Sequence, residues 1–147
     1  MKTVSCPSFQ TADFVMDLIL TNLPTLFITA FFAILFLQSG FDKVTDYRGN
    51  LDYFRDHFKN SPLASGVSLL MPVITLLETL TGIVSAWAFF QTLLTGQSNA
   101  AVFSPVLAGT SLLSLFFGQR LAKDYAGAAA LVPYFLVVLL GLWIIKI

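Results

Sequence analysis

Residues 67–94 read VSLLMPVITLLETLTGIVSAWAFFQTLL, and the only ionisable side chain in that run is Glu78. A hydrocarbon core about 30 Å thick is crossed by roughly 20 mostly apolar residues in a helix. The run is long enough to cross, and its single acid must then be accommodated at depth. Three other stretches meet the same criterion. Residues 18–40 carry no charge between Asp17 and Asp42, and residues 101–118 and 126–145 carry none at all. The pattern predicts an all-α membrane protein, a four-transmembrane-helix bundle built as one domain over residues 1–147.

Composition points the same way. The chain has 147 residues, of which 56% are hydrophobic and 11% charged, and its mean hydropathy is +0.81. Soluble domains average about 25% charged residues, so the deficit of charge is the sharper signal. Fifteen Phe are more than one small water-exposed core can hide, because a domain of this size keeps much of its surface in contact with solvent. The formal net charge is zero, which gives no basic field for nucleic acid. One Cys (Cys6) and one His (His57) supply neither an internal disulfide, a Cys-x-x-Cys redox motif, a pair of haem ligands nor a zinc cage. No metal site and no covalently held cofactor are expected. A redox role would need a diffusible carrier such as a quinone, or a cofactor on a partner.

The polar segment between the first two spans, residues 41–65, has an internal rhythm. Leu51, Phe54 and Phe58 recur at helical spacing, with Asp52, Arg55, Asp56 and Lys59 elsewhere on the wheel. This predicts a short amphipathic helix, either lying in the membrane interface or packed under a partner subunit. Residues 1–17 read as a short tail, with Phe9, Phe14 and Val15 placed to touch the membrane surface. With four crossings, the 41–65 loop and the 119–125 turn share one side. That side holds Lys43, Arg48, Arg55, Lys59, Arg120 and Lys123, against Lys2 and Lys146 on the other. The positive-inside rule then places both charged loops in the cytoplasm and both termini outside, in a cell inner membrane.

Two constellations are candidates for function. The first is an intramembrane polar layer. At about 1.5 Å per residue, Glu78 lies roughly 15 Å along its helix, and the same arithmetic puts Thr29, Ser111 and Tyr134 at a similar depth. Charge at mid-bilayer costs about 2.5–3.5 kcal/mol on insertion scales, so Glu78 is expected to face the bundle interior as a neutral acid. Such a layer is either a proton-linked or head-group site, for a quinone or another small polar group, or simply hydrogen-bonded glue between helices. The second is a charged cluster at the cytoplasmic ends, formed by Gln38, Asp42, Lys43, Arg120, Lys123 and Asp124. Lys43 with Asp124, or Arg120 with Asp42, are its expected pairs. The cluster either receives an anionic group or only anchors the topology. Gly82 with Ala86 and Gly118 with Ala122 are small-xxx-small pairs suited to close helix contact. His57 reads as a solvated interfacial residue, and Trp87 and Trp143 as members of an aromatic belt.

Taken in order, Gly40-Phe41-Asp42-Lys43 at the end of the first span, Glu78 followed by Gly82 in the second, and Phe117-Gly118-Gln119-Arg120 through Asp124-Tyr125 before the fourth resemble the DoxX-like family of small four-helix bacterial and archaeal membrane proteins. The resemblance covers roughly residues 31–135. Many members begin the first span with an Arg, whereas here no basic residue lies between Lys2 and Lys43. The resemblance implies an integral membrane accessory subunit of a respiratory or other redox complex, packed against larger subunits and shaping a quinone or lipid site. It also implies an alternative, a quinone-linked subunit of the thiosulfate:quinone oxidoreductase type. A third reading rests on the membrane acid alone: a small proton-coupled transporter using Glu78.

Overall fold

The computed structural model describes residues 7–97 and 99–145, with side chains from Met16 onward. Lys2, Cys6 and Lys146, together with the side chains of Phe9, Phe14 and Val15, lie outside the described residues. The chain folds into α1 (Pro7–Thr45), α2 (Tyr47–Phe58), α3 (Val67–Thr95), α4 (Phe103–Leu121) and α5 (Tyr125–Ile145). Four of the apolar segments, Met16–Thr45, Ala64–Thr95, Asn99–Leu121 and Tyr125–Ile145, are long enough to cross a membrane. The first helix is longer than its apolar run. It begins at Pro7, so residues 7–17 continue the span as helix instead of forming a loose tail.

The distribution of side chains is that of a protein whose solvent is lipid. Large apolar groups cover the outside, with Leu69, Leu76, Leu94 and Trp143 all at least 70% exposed. The interior instead holds Thr29, Thr75, Thr81, Ser85, Thr92, Ser104 and Ser111, all buried. Lipid tails are as apolar as Leu, so burying Leu gains little. Helices associate through close backbone approach and hydrogen bonds, which favours small and hydroxyl-bearing residues at the contacts. An apolar centre remains where Phe32, Phe36, Leu112 and Val138 meet.

α1 and α3 pack antiparallel from the level of Leu18 and Gly96 to that of Gly40 and Thr79, and three glycines mark the contact. A Cβ on Gly96 would strike Leu18, one on Gly82 would lie 2.7 Å from the Leu37 backbone nitrogen, and one on Gly40 would strike Thr79. Gly96 also ends α3 in a left-handed conformation, φ 68°, with its N–H donating to the Thr92 carbonyl. α3 meets α4 through two buried hydroxyl pairs, Thr81–Ser111 at 3.0 Å and Ser85–Ser104 at 2.7 Å. Interhelical bonds of this kind contribute about 0.6 kcal/mol each on average. Gly109 admits Val138, and Gly141 admits Ile28 and Pro105, which seats α5 against α4 and α1.

α2 is amphipathic as its spacing predicts. Asp46 caps it by accepting from the Gly49 N–H at 3.1 Å. Leu51, Phe54, His57 and Phe58 turn inward, while Asp52, Arg55 and Asp56 are exposed. The helix lies against this chain's own bundle, with the Arg55 guanidinium donating to Ser68 Oγ at 3.0 Å beside the start of α3. The α4–α5 turn closes with Lys123 in the left-handed region, φ 60°, which lets the Asp124 N–H return to the Gln119 carbonyl at 3.0 Å.

Candidate functional site

Glu78 is 2% exposed and faces the bundle interior, as its cost in lipid requires. Its partners differ from the expected layer. Lys43 Nζ lies 2.8 Å from Glu78 Oε2, and Ser39 Oγ donates to Glu78 Oε1 at 3.1 Å. Lys43 also donates to Ser39 Oγ at 2.7 Å, closing a triangle of ammonium, hydroxyl and carboxylate. The contact at Oε2 is ionic in character, since the ammonium approaches at an angle that forms no regular hydrogen bond there. Ser39 and Lys43 are one turn apart on α1, so both reach the same point on α3.

The expected polar layer therefore divides. Thr29 turns its hydroxyl back onto the Thr25 carbonyl at 2.8 Å, ten residues and about 15 Å along α1 from Ser39. Ser111 pairs with Thr81. Tyr134 is 37% exposed and stacks on Phe31, ring centroids 6.2 Å apart. Depth was misjudged because the first turns of α3 overhang the end of α1 and are covered by α2. Glu78 is consequently level with the last turns of α1, where a lysine can reach it. The acid is thus set against the Lys43 side chain and Ser39, in place of the expected layer of Thr29, Ser111 and Tyr134.

The charged cluster at the loop end also divides. Lys43 leaves it for Glu78, and neither Lys43–Asp124 nor Arg120–Asp42 is among the ion pairs of the described residues. Gln38 and Asp42 are exposed, and the Asp42 carbonyl accepts from Asn50 at 3.2 Å. Arg120 lies over the Tyr125 ring at 4.7 Å, in cation–π contact. Asp124 caps α5, accepting from the Gly127 N–H at 2.8 Å. Its other oxygen is 3.6 Å from His57 Nε2, and that nitrogen lies 3.0 Å from Gln119 Oε1. His57 is thus no freely solvated residue. With its ring stacked on Tyr53, it clasps α2 to the α4–α5 turn. Ser39 carried no individual signal in the sequence, although it stands one helical turn before Lys43, and Gln119 stood out only within Phe117-Gly118-Gln119-Arg120.

Beneath α2 the clasp leaves a groove of about 310 Å³ between α3 and α4. Phe54 and Phe58 roof it, Met71, Ile74 and Leu77 form one wall, and Leu115 lies on the other. Its polar lining is restricted to Ser114 and Gln119. Ser114 already donates to the Thr110 carbonyl at 2.9 Å, and the Gln119 oxygen faces His57. Glu78 does not line this groove, so the ion pair and the groove are two separate features. Among the described residues no group of three His, Cys, Asp or Glu side chains comes together as a metal site. Comparisons with protein-family models, with curated proteins and with solved structures found no match for this chain.

Proposed function

We propose that the protein is an integral membrane accessory subunit of a respiratory or other membrane redox complex. It packs against larger subunits and offers its interfacial groove to a quinone or a lipid. The observation that carries this reading is the approach of Lys43 to Glu78 at 2.8 Å. The one acid inside the span is committed to holding α1 on α3, which suits a scaffold better than a proton carrier and weighs against the transporter reading. Lys43 and Glu78 are also two of the positions on which the DoxX-like resemblance rests. A quinone-linked subunit of the thiosulfate:quinone oxidoreductase type, in which the quinone would be a diffusible guest, is the second form of the same idea. The excess of Lys and Arg on the α2 side supports an inner-membrane orientation with that side in the cytoplasm and both termini outside.

Extraction from native membranes in a mild detergent tests this reading. The expected result is co-purification with larger subunits that carry a redox cofactor and show quinone-dependent activity, with that association lost in Glu78→Ala. Recovery of the intact protein as a stable monomer, with no redox partner, contradicts it.

A further inference from the structure

We propose that the groove beneath α2 seats one acyl chain of an anionic phospholipid, with the lipid phosphate held outside it by Arg55 and Arg120. The proposal rests on the reading of the groove as a seat for a membrane molecule, and it names that molecule's class.

The first argument is position. The groove lies under an amphipathic helix at the loop end of the bundle, and Leu70, Val73 and Phe117, which line it, are 42%, 56% and 63% exposed on the outer face. It therefore opens sideways onto the surface that the acyl chains themselves contact. The second is chemistry. A quinone ring has two carbonyl oxygens to satisfy, but the Ser114 hydroxyl is spent on Thr110 and the Gln119 oxygen on His57, which leaves the lining a single amide group as donor. An all-carbon chain needs none. The third is size: about 310 Å³ is at the low end of small-molecule sites, which span about 300–1,000 Å³. That accommodates part of one chain, with the head group left outside.

Charge at the rim supplies the head-group preference. Lys59 is committed to Asp56 at 2.8 Å, and its hydrogen bond holds the Asp56 carboxyl below the usual carboxylate range. Arg55 is only loosely held by Asp52, at 3.7 Å, while it reaches Ser68 beside the α3 wall. Arg120 follows Gln119 on the α4 wall, and among the described residues it has no carboxylate partner. Each guanidinium is thus carried by the residue next in sequence to a lining residue, Phe54 or Gln119, and guanidinium matches phosphate in a bidentate fashion.

Native mass spectrometry of the full-length protein, released from detergent after titration with phosphatidylglycerol, with phosphatidylcholine of the same chains or with a long-chain quinone, tests the proposal. The parent is expected to retain one phosphatidylglycerol in preference to both competitors. Arg55→Gln and Arg120→Gln are each expected to reduce the preference over phosphatidylcholine about fivefold, as loss of about 1 kcal/mol per basic residue near a lipid surface implies. Gly118→Leu places its side chain against the Phe58 ring, 3.6 Å from the Cβ position, and fills the groove. Retention of either lipid is then expected to fall about tenfold. If that variant does not fold, Leu70→Trp blocks the opposite wall. Equal retention of the two lipids by the parent, preferential retention of the quinone, or undiminished retention by a folded groove-filling variant overturns the proposal. The assay uses the isolated protein, so its outcome is independent of whether a redox partner co-purifies.

Discussion

Lys43→Met is expected to destabilise the folded bundle by about 3–5 kcal/mol, the cost of leaving one member of a buried ion pair without its partner. Glu78 would be stranded at 2% exposure with only the Ser39 hydroxyl against it. Glu78→Met is expected to cost less. Its orphan is Lys43, whose side chain is 12% exposed and whose flexible stem can carry the ammonium to the interface. The double replacement Lys43→Met with Glu78→Met is expected to return to near the parent stability, because well-packed apolar residues often replace a buried pair without loss. The coupling between the two sites should then equal the two single costs combined, at least about 3–5 kcal/mol. Reversible unfolding of the four proteins in detergent micelles measures it. Additive single effects would show that the two side chains do not interact.

Gly82→Leu is expected to have a comparable effect through sterics alone. A Cβ at this position would lie 2.7 Å from the Leu37 backbone nitrogen, and a helix backbone cannot give way as a flexible side chain can. α1 must move off α3, and Ser39 and Lys43 move with it. Overpacking of a tight contact costs about 1–3 kcal/mol for small additions. Gly82→Ala should fall in that range, and Gly82→Leu above it or without a stable fold. Gly118→Ala is the control. Its Cβ would meet Phe58 at an ordinary 3.6 Å, so a change within about 0.5 kcal/mol is expected. Thermal unfolding in one detergent ranks the three.

The two effects also explain how much of the molecule was legible in the chain. Spans are written as uninterrupted apolar length, and α2 as a three-to-four-residue rhythm of Leu51, Phe54 and Phe58, so both survive translation into structure. That Glu78 would turn inward follows from the cost of charge in lipid. What it would meet does not follow, because that depends on the offset between helices. Counting residues from each span's edge treated the helices as flush. The overhang of α3 beyond α1 shifts Glu78 from the level of Thr29 to that of Ser39 and Lys43. The cap on Gly127 and the left-handed Lys123 fix Asp124 on the α4–α5 turn, where His57 is its neighbour. Small residues gave half of the helix register: Gly82 marks a close contact, but only coordinates name Leu37 as the neighbour. The groove beneath α2 had no signature of its own, since Phe54 and Phe58 read equally well as residues dipping into lipid.

The claim on which the rest depends is that α1 and α3 pack antiparallel in the register that brings Lys43 to Glu78. A Cβ built on Gly40 lies 3.3 Å from Thr79 Cβ, close to the spacing of about 3.5–4.5 Å in disulfides, and the Thr79 side chain that would obstruct it is removed in Thr79→Cys. Oxidative cross-linking of Gly40→Cys with Thr79→Cys in native membranes, with Cys6→Ser to remove the natural thiol, is therefore the most direct measurement. Near-complete linkage is predicted, with none for Ile34→Cys paired with Leu76→Cys, both of which face outward at 67% and 70% exposure. Absence of linkage at 40 and 79, or equal linkage of the outward-facing pair, contradicts the account.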